Sequence, residues 1–168
     1  MTKRQVFYSF HYENDVRRAA QIKNIGVIEG NEPVSPNEWE EVKKKGDAAI
    51  ENWIDKNMQN RTCLIVLIGE KTANRKWINY EIKHAWKRGM GVLGIYINNI
   101  KDPLLCKQGD SGLSAKGKNP FEYFTFASGN FSDIVHCYTP NSSSAYADIE
   151  EHISDWIEEA IRIRNQYK

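Results

Sequence analysis

Apolar and polar positions follow two rhythms along this chain. Short continuous apolar runs are separated by longer stretches in which apolar residues return every three or four positions. The runs predict buried strands, and the three-to-four spacing predicts amphipathic helices. Gln5-Val6-Phe7-Tyr8-Ser9-Phe10 opens the series as a strand. Glu13 to Ile22 predicts a helix, and a short second strand follows near Gly26-Val27-Ile28. Ser35-Pro36-Asn37-Glu38 has the spacing of a capping box, with proline at the first helical position. From Asp47 onward, Ile50, Trp53, Ile54 and Met58 share one helical face. Cys63-Leu64-Ile65-Val66-Leu67-Ile68-Gly69 is apolar throughout, the mark of a central strand covered on both faces. A helix from Asn74 to Arg88 stops at Gly89, a C-cap residue. Val92 to Ile97 is the next buried strand, and Ile134 to Tyr138 the last. The closing helix, 144–164, buries Ile149, Ile153, Trp156, Ile157, Ala160 and Ile161. Its acids come early and its bases late, which suits the helix dipole.

Strands alternating with helices predict an α/β, flavodoxin-like fold: a parallel sheet with helices on both faces. The 168 residues fit a single domain over 1–168. One segment breaks the rhythm. Residues 102–119 show no period and are rich in Gly, Ser and Lys, which predicts a long irregular loop, functional or mobile. In open parallel sheets ligands bind outside the carboxyl ends of the strands. The segments to search are therefore Ser9-Phe10-His11, Gly69 to Trp77, and the stretch after Ile97.

Charge narrows the possible partners. The formal net charge is +1, so there is no basic excess to favour nucleic acid. Lys43-Lys44-Lys45 reads as a solvated helix face, with Glu40 spaced to pair Lys44 and Glu41 to pair Lys45. The opening Met1-Thr2-Lys3-Arg4 shows no signal-peptide pattern, and the longest apolar run is too short to span a bilayer. No membrane partner is expected. Cys63, Cys106 and Cys137 lie far apart, which argues against a disulfide framework or a zinc site and for a cytoplasmic location. His11, His84, His136 and His152 lack ligand spacing, so no metal site is expected.

Several chemistries drop out at the strand ends. A phospho-accepting receiver needs paired acids after its first strand, where this chain has Ser9-Phe10-His11. No Ser/Thr-Gly phosphate loop, GxGxxG fingerprint, Walker loop or GxSxG elbow is present. What remains is a carboxylate, aromatics and hydroxyls, groups that suit a sugar-containing ligand. On a helical wheel Ile78, Ile82 and Ala85 form the core stripe of the 74–88 helix, and Glu81 falls at its border beside Trp77. The wheel leaves Glu81 open between a surface glutamate and a cleft carboxylate. It leaves Trp77 open between a core anchor and a ligand contact. Tyr12 and Asp15 read as a strand-end plug and a helix-start acid.

An ordered set of motifs bears on that choice. Val6-Phe7-Tyr8-Ser9-Phe10-His11-Tyr12, with Asp15 following, resembles the first box of the TIR domain. Gly46-Asp47 with Ile50 and Ile54, the run Cys63 to Gly69, and Asn74-Arg75-Lys76-Trp77-Ile78-Asn79-Tyr80-Glu81-Ile82 resemble later features in the same order. Gly94-Ile95-Tyr96-Ile97-Asn98 and Lys118-Asn119-Pro120-Phe121-Glu122-Tyr123 resemble the TIR-like proteins of bacterial Thoeris anti-phage defence. The resemblance covers Val6 to Tyr123. The proline-glycine loop that many TIR domains use in receptor signalling is not visible between Gly30 and Gly46, against an animal-type adaptor role.

The resemblance implies a TIR-like fold and a hydrolase acting on NAD, taken as substrate and not as cofactor. It implies Glu81 as the catalytic carboxylate, stabilising positive charge on the ribose as its bond to nicotinamide breaks. Ser9, Phe10, His11 and Trp77 are the implied substrate-binding residues. It further implies a cyclic ADP-ribose type product, a downstream nucleotide-sensing effector, self-association and a phage-derived trigger. Three other readings stay open: a non-catalytic interaction module, a nucleoside deoxyribosyltransferase-like enzyme, and a plain nucleotide-binding domain.

Overall fold

The computed structural model describes residues 4–25, 28–30, 41–126 and 129–167, with backbone alone at 28–30 and 126. The apolar runs become strands β1 (Arg4–Ser9), β3 (Cys63–Ile68) and β4 (Gly91–Tyr96), with β2 (Ile28–Gly30) and β7 (Cys137–Tyr138) at the edges. All pair in parallel, in the order β2-β1-β3-β4-β7. Two two-residue strands, β5 (Thr125–Phe126) and β6 (Gly129–Asn130), form a separate antiparallel pair. The α/β flavodoxin-like expectation therefore holds, with the order that reverses direction between β1 and β3.

Period-two alternation sorts the strands onto two cores. Val6 and Tyr8, then Cys63, Ile65 and Leu67, then Leu93 and Ile95 face one side. There they meet α1 (Tyr12–Lys23) and the C-terminal helix α5 (Ala145–Asn165), whose Ile149, Ile153 and Ile157 are fully buried. Trp156 and Ile161 border this core, half-buried. The opposite face carries Phe7, Leu64, Val66, Ile68 and Val92 against α2 (Asp47–Met58) and α3 (Lys76–Lys87). The expected stop of α3 is real. Gly89 has φ +83, its N–H donates to Trp86 O, and Met90 N–H reaches back to Ala85 O, a Schellman closure.

Two expectations need correction. Residues 108–119 are irregular as expected, but the start of the segment is not. Asp102 caps a short helix, α4 (Pro103–Lys107), by accepting from Leu104 N, with proline at the first turn. The base of the loop is closed by Asp102 N–H on Gly112 O at 2.9 Å. Arg17 then grips the Asp102 carboxylate at 2.7 and 2.9 Å, and Arg18 donates to Ile100 O and Gly112 O at 2.8 Å each. The last strand is shorter than its apolar run, because residues 131–133 turn as a 3-10 segment first. The capping box at Ser35, residues 31–40 of the gap between Gly30 and Gly46, and Gly26 and Val27 lie outside the described residues. Among the described residues no helix is long and apolar enough to cross a membrane.

Gly91 shows how closely α5 sits on the sheet. A methyl group there would lie 2.7 Å from the Ile161 backbone nitrogen and 2.8 Å from the Ala160 carbonyl carbon. Backbone cannot step aside as a side chain can. Gly91→Ala should lower stability by about 1–3 kcal/mol. Thermal unfolding followed by circular dichroism checks this, with an expected drop of about 2–4 °C per kcal/mol.

Candidate active site

The same alternation decides which polar groups meet. With Val6 and Tyr8 on the α1 and α5 side, Phe7 and Ser9 face α2 and α3. Ser9 is the last residue of β1 and is buried. Its Oγ donates to Glu81 Oε1 at 3.1 Å. Glu81 lies in the buried face of α3 with Ile78, Ile82 and Ala85, only 8% exposed. The border position on the wheel is thus inside. Burial pushes this carboxyl up from its ordinary 4.5 to about 8, against a smaller downward pull from the Ser9 hydrogen bond. At neutral pH the free protein holds Glu81 mostly protonated.

A cleft of about 720 Å³ opens over this carboxyl, at the switch point between the carboxyl ends of β1 and β3. Its volume is that of a typical small-molecule site. Phe10, His11, Trp77 and Glu81 all line it. Phe10 stacks on Tyr12 with ring centroids 6.2 Å apart. Trp77 is half-buried: it packs against the core and it also lines the cleft. Tyr80 meets its ring edge-on at 5.8 Å and donates to Asp55 at 2.8 Å, which ties α3 to α2. Burial lowers the His11 imidazole below its ordinary value, helped by the nearby Arg75 and Lys71 charges and opposed by Glu13.

The structure brings all five expected site residues together, Ser9 through its bond to Glu81. Sequence reasoning missed Trp53, Lys71 and Arg75, which also line the cleft. Lys43, read as part of a solvated face, lines it too. Lys71 and Arg75 sit in the segment that strand-end logic marked, but no spacing singled them out. Asp15 is more than a helix-start acid: it is fully buried, and its carboxyl presses against Gly69. Burial raises it to about 6, partly offset by the Asn14 amide and by Arg18. Among the described residues no group of three or more metal-ligating side chains occurs.

A protonatable glutamate on the helix after the third strand, facing a switch-point cleft, defines a TIR-like α/β domain. The family model described as "Thoeris protein ThsB, TIR-like domain" matches residues 7–102, a stretch that contains every one of these site residues. A protein of Bacillus cereus (strain MSX-D12), named "Putative cyclic ADP-D-ribose synthase ThsB1", is 34% identical over 143 residues. That match covers 82% of this chain and 71% of the relative. The chain belongs to the ThsB TIR-like family of Thoeris proteins.

Glu81 ties stability to pH with a definite sign. The folded state binds its proton more tightly than the unfolded chain, so stability falls as pH rises from 4.5 through about 8. Glu81→Gln removes that slope. The variant should gain melting temperature over wild type, by more at pH 9 than at pH 5, as differential scanning fluorimetry across pH would record.

Proposed function

We propose that this domain cleaves the bond between nicotinamide and ribose in NAD, with Glu81 as the catalytic carboxylate. The observation that carries the proposal is a carboxyl buried at the floor of a cleft and hydrogen-bonded by Ser9 alone among the described residues. Such a group is poorly stabilised as an anion until a cation arrives. The nicotinamide riboside half of NAD is a cation. Its approach favours the ionised form of Glu81, which then offsets the positive charge that develops on the ribose ring. The nicotinamide–ribose bond breaks with both electrons leaving on the ring nitrogen, so nicotinamide departs neutral and needs no general acid. An oxygen nucleophile then attacks the oxocarbenium-like carbon and gives up its proton to the Glu81 carboxylate. Ser9 aims the carboxylate, and Trp77 walls the nicotinamide side. Phe10 and His11 line the path of the remainder.

The similarity to a protein named as a cyclic ADP-D-ribose synthase supports a cyclised product, in which a hydroxyl of the same molecule acts as the nucleophile. Apolar walls at Trp53, Ile54, Trp77 and Ile78 favour such a step by limiting water. On this reading the product is a nucleotide signal for a separate effector, made in the cytoplasm. Self-association and a phage-derived trigger accompany it as family expectations.

Nicotinamide release from NAD tests the proposal. Glu81→Gln keeps the shape and loses the charge, and should cut kcat by about 10²–10³-fold, as removal of a preorganised electrostatic group does. Equal turnover by the variant would sink the catalytic role. The ionised form is the active one, so kcat/KM should fall about tenfold per pH unit below about 8. Ser9→Ala should move this limb to higher pH, because it removes the group that lowers the carboxyl. A non-catalytic module would release no nicotinamide, and a deoxyribosyltransferase-like enzyme would exchange bases on deoxynucleosides.

A further inference from the structure

The wall of the cleft opposite β1 is the strap between β3 and α3, and it is seated with unusual firmness. Gly69 N–H donates to Thr72 Oγ1 at 2.8 Å, and Thr72 is fully buried. The Asp15 carboxyl lies directly beneath Gly69, and Gly117 packs against the Gly69 carbonyl oxygen. A methyl group at either glycine would overlap its neighbour. Asp15 is held in turn by Asn14 Nδ2 at 3.0 Å and by Arg18 Nη1 at 3.6 Å. The strap therefore has no room to recede into the protein.

From this seat Lys71 and Arg75 line the cleft. Arg75 Nε donates to Lys71 O at 2.6 Å, which holds the exposed guanidinium against the backbone of this segment. Neither forms a salt bridge among the described residues, whereas the neighbouring Lys76 is taken by Asp47 and by the Trp77 ring. His11, between β1 and α1, lines the same cleft and feels both cations, with Glu13 as the opposing charge. The first turn of α3 starts at the same place. It carries no acidic residue, and Arg75 supplies no side-chain cap. Two cations on a rigid backbone, an imidazole in the same cleft wall and an uncapped first turn all favour an anion.

We propose that Lys71, Arg75 and His11 form a diphosphate clamp, so that the cleft selects the intact dinucleotide over nicotinamide mononucleotide and nicotinamide riboside. The placement of the two ligand halves rests on Glu81 binding the ribose next to nicotinamide. Arg75 offers the planar fork that grips two phosphate oxygens, and Lys71 a point charge beside it. An anion bound there favours the charged form of His11, because it offsets the Arg75 and Lys71 charges that add to burial in disfavouring it.

Two measurements on the full chain test the clamp. The first titrates inorganic pyrophosphate and ADP-ribose into wild type and into Lys71→Gln/Arg75→Gln by calorimetry, with the His11 imidazole followed by NMR. Affinity for both probes should fall at least tenfold in the double variant. In wild type, pyrophosphate should raise the His11 pKa, and in the double variant this rise should shrink. Equal affinities, or an unmoved His11, would overturn the clamp. These readouts need no turnover, so they decide the matter even if Glu81→Gln proves as active as wild type. The second compares nicotinamide release from NAD, nicotinamide mononucleotide and nicotinamide riboside. The preference for NAD over the riboside, as a ratio of kcat/KM values, should drop at least tenfold in the double variant. An unchanged ratio would overturn the selectivity.

Discussion

One buried carboxyl held by one serine hydroxyl is the constraint around which this molecule is arranged. Burying an unpaired carboxylate is costly, and the common outcome is that the group stays protonated. Glu81 follows that rule, with only the 3.1 Å bond from Ser9 to oppose it. The arrangement weakens the fold at alkaline pH and leaves at the cleft a carboxyl that a positively charged ligand would ionise. Stability and chemistry therefore pull the same group in opposite directions, as expected where local rules of packing are broken for function.

Much of the fold was legible because its signals are local. Cys63 to Ile68 is apolar at every position, and a strand covered on both faces has to be. Gly89 ends α3 through a backbone conformation that glycine adopts without strain. The interruption at residues 102–119 was legible as irregular, but the helix at its start and its ties to α1 were not. Its order comes from Arg17 and Arg18, more than eighty residues earlier in the chain, and no periodicity reports such a contact. The one local clue was the Asp102-Pro103 pair, a capping residue followed by a first-turn proline.

The site was legible in a different way. The wheel put Glu81 at a border and could go no further, since whether a border position is wet depends on what α3 lies against. The ordered TIR-like boxes moved the balance, and the observed burial agrees with them. Ser9 and Trp77 followed from the same boxes. Lys71 and Arg75 did not, because a cation in a loop looks alike in sequence whether it faces bulk water or a cleft. Their place in the cleft wall is visible only once the 69–75 segment is seen seated on Asp15 and Gly117.

The tie across the base of the 102–112 loop has a consequence for how this molecule can vary. Asp102 and Gly112 are joined to each other and to α1, while residues 106–111 between them are exposed. Length added at that tip leaves both anchors in place. Its closure penalty grows by only about 0.6 kcal/mol per doubling of loop length. Peptide insertions near Gly109 should thus be absorbed locally, with the sheet left undisturbed.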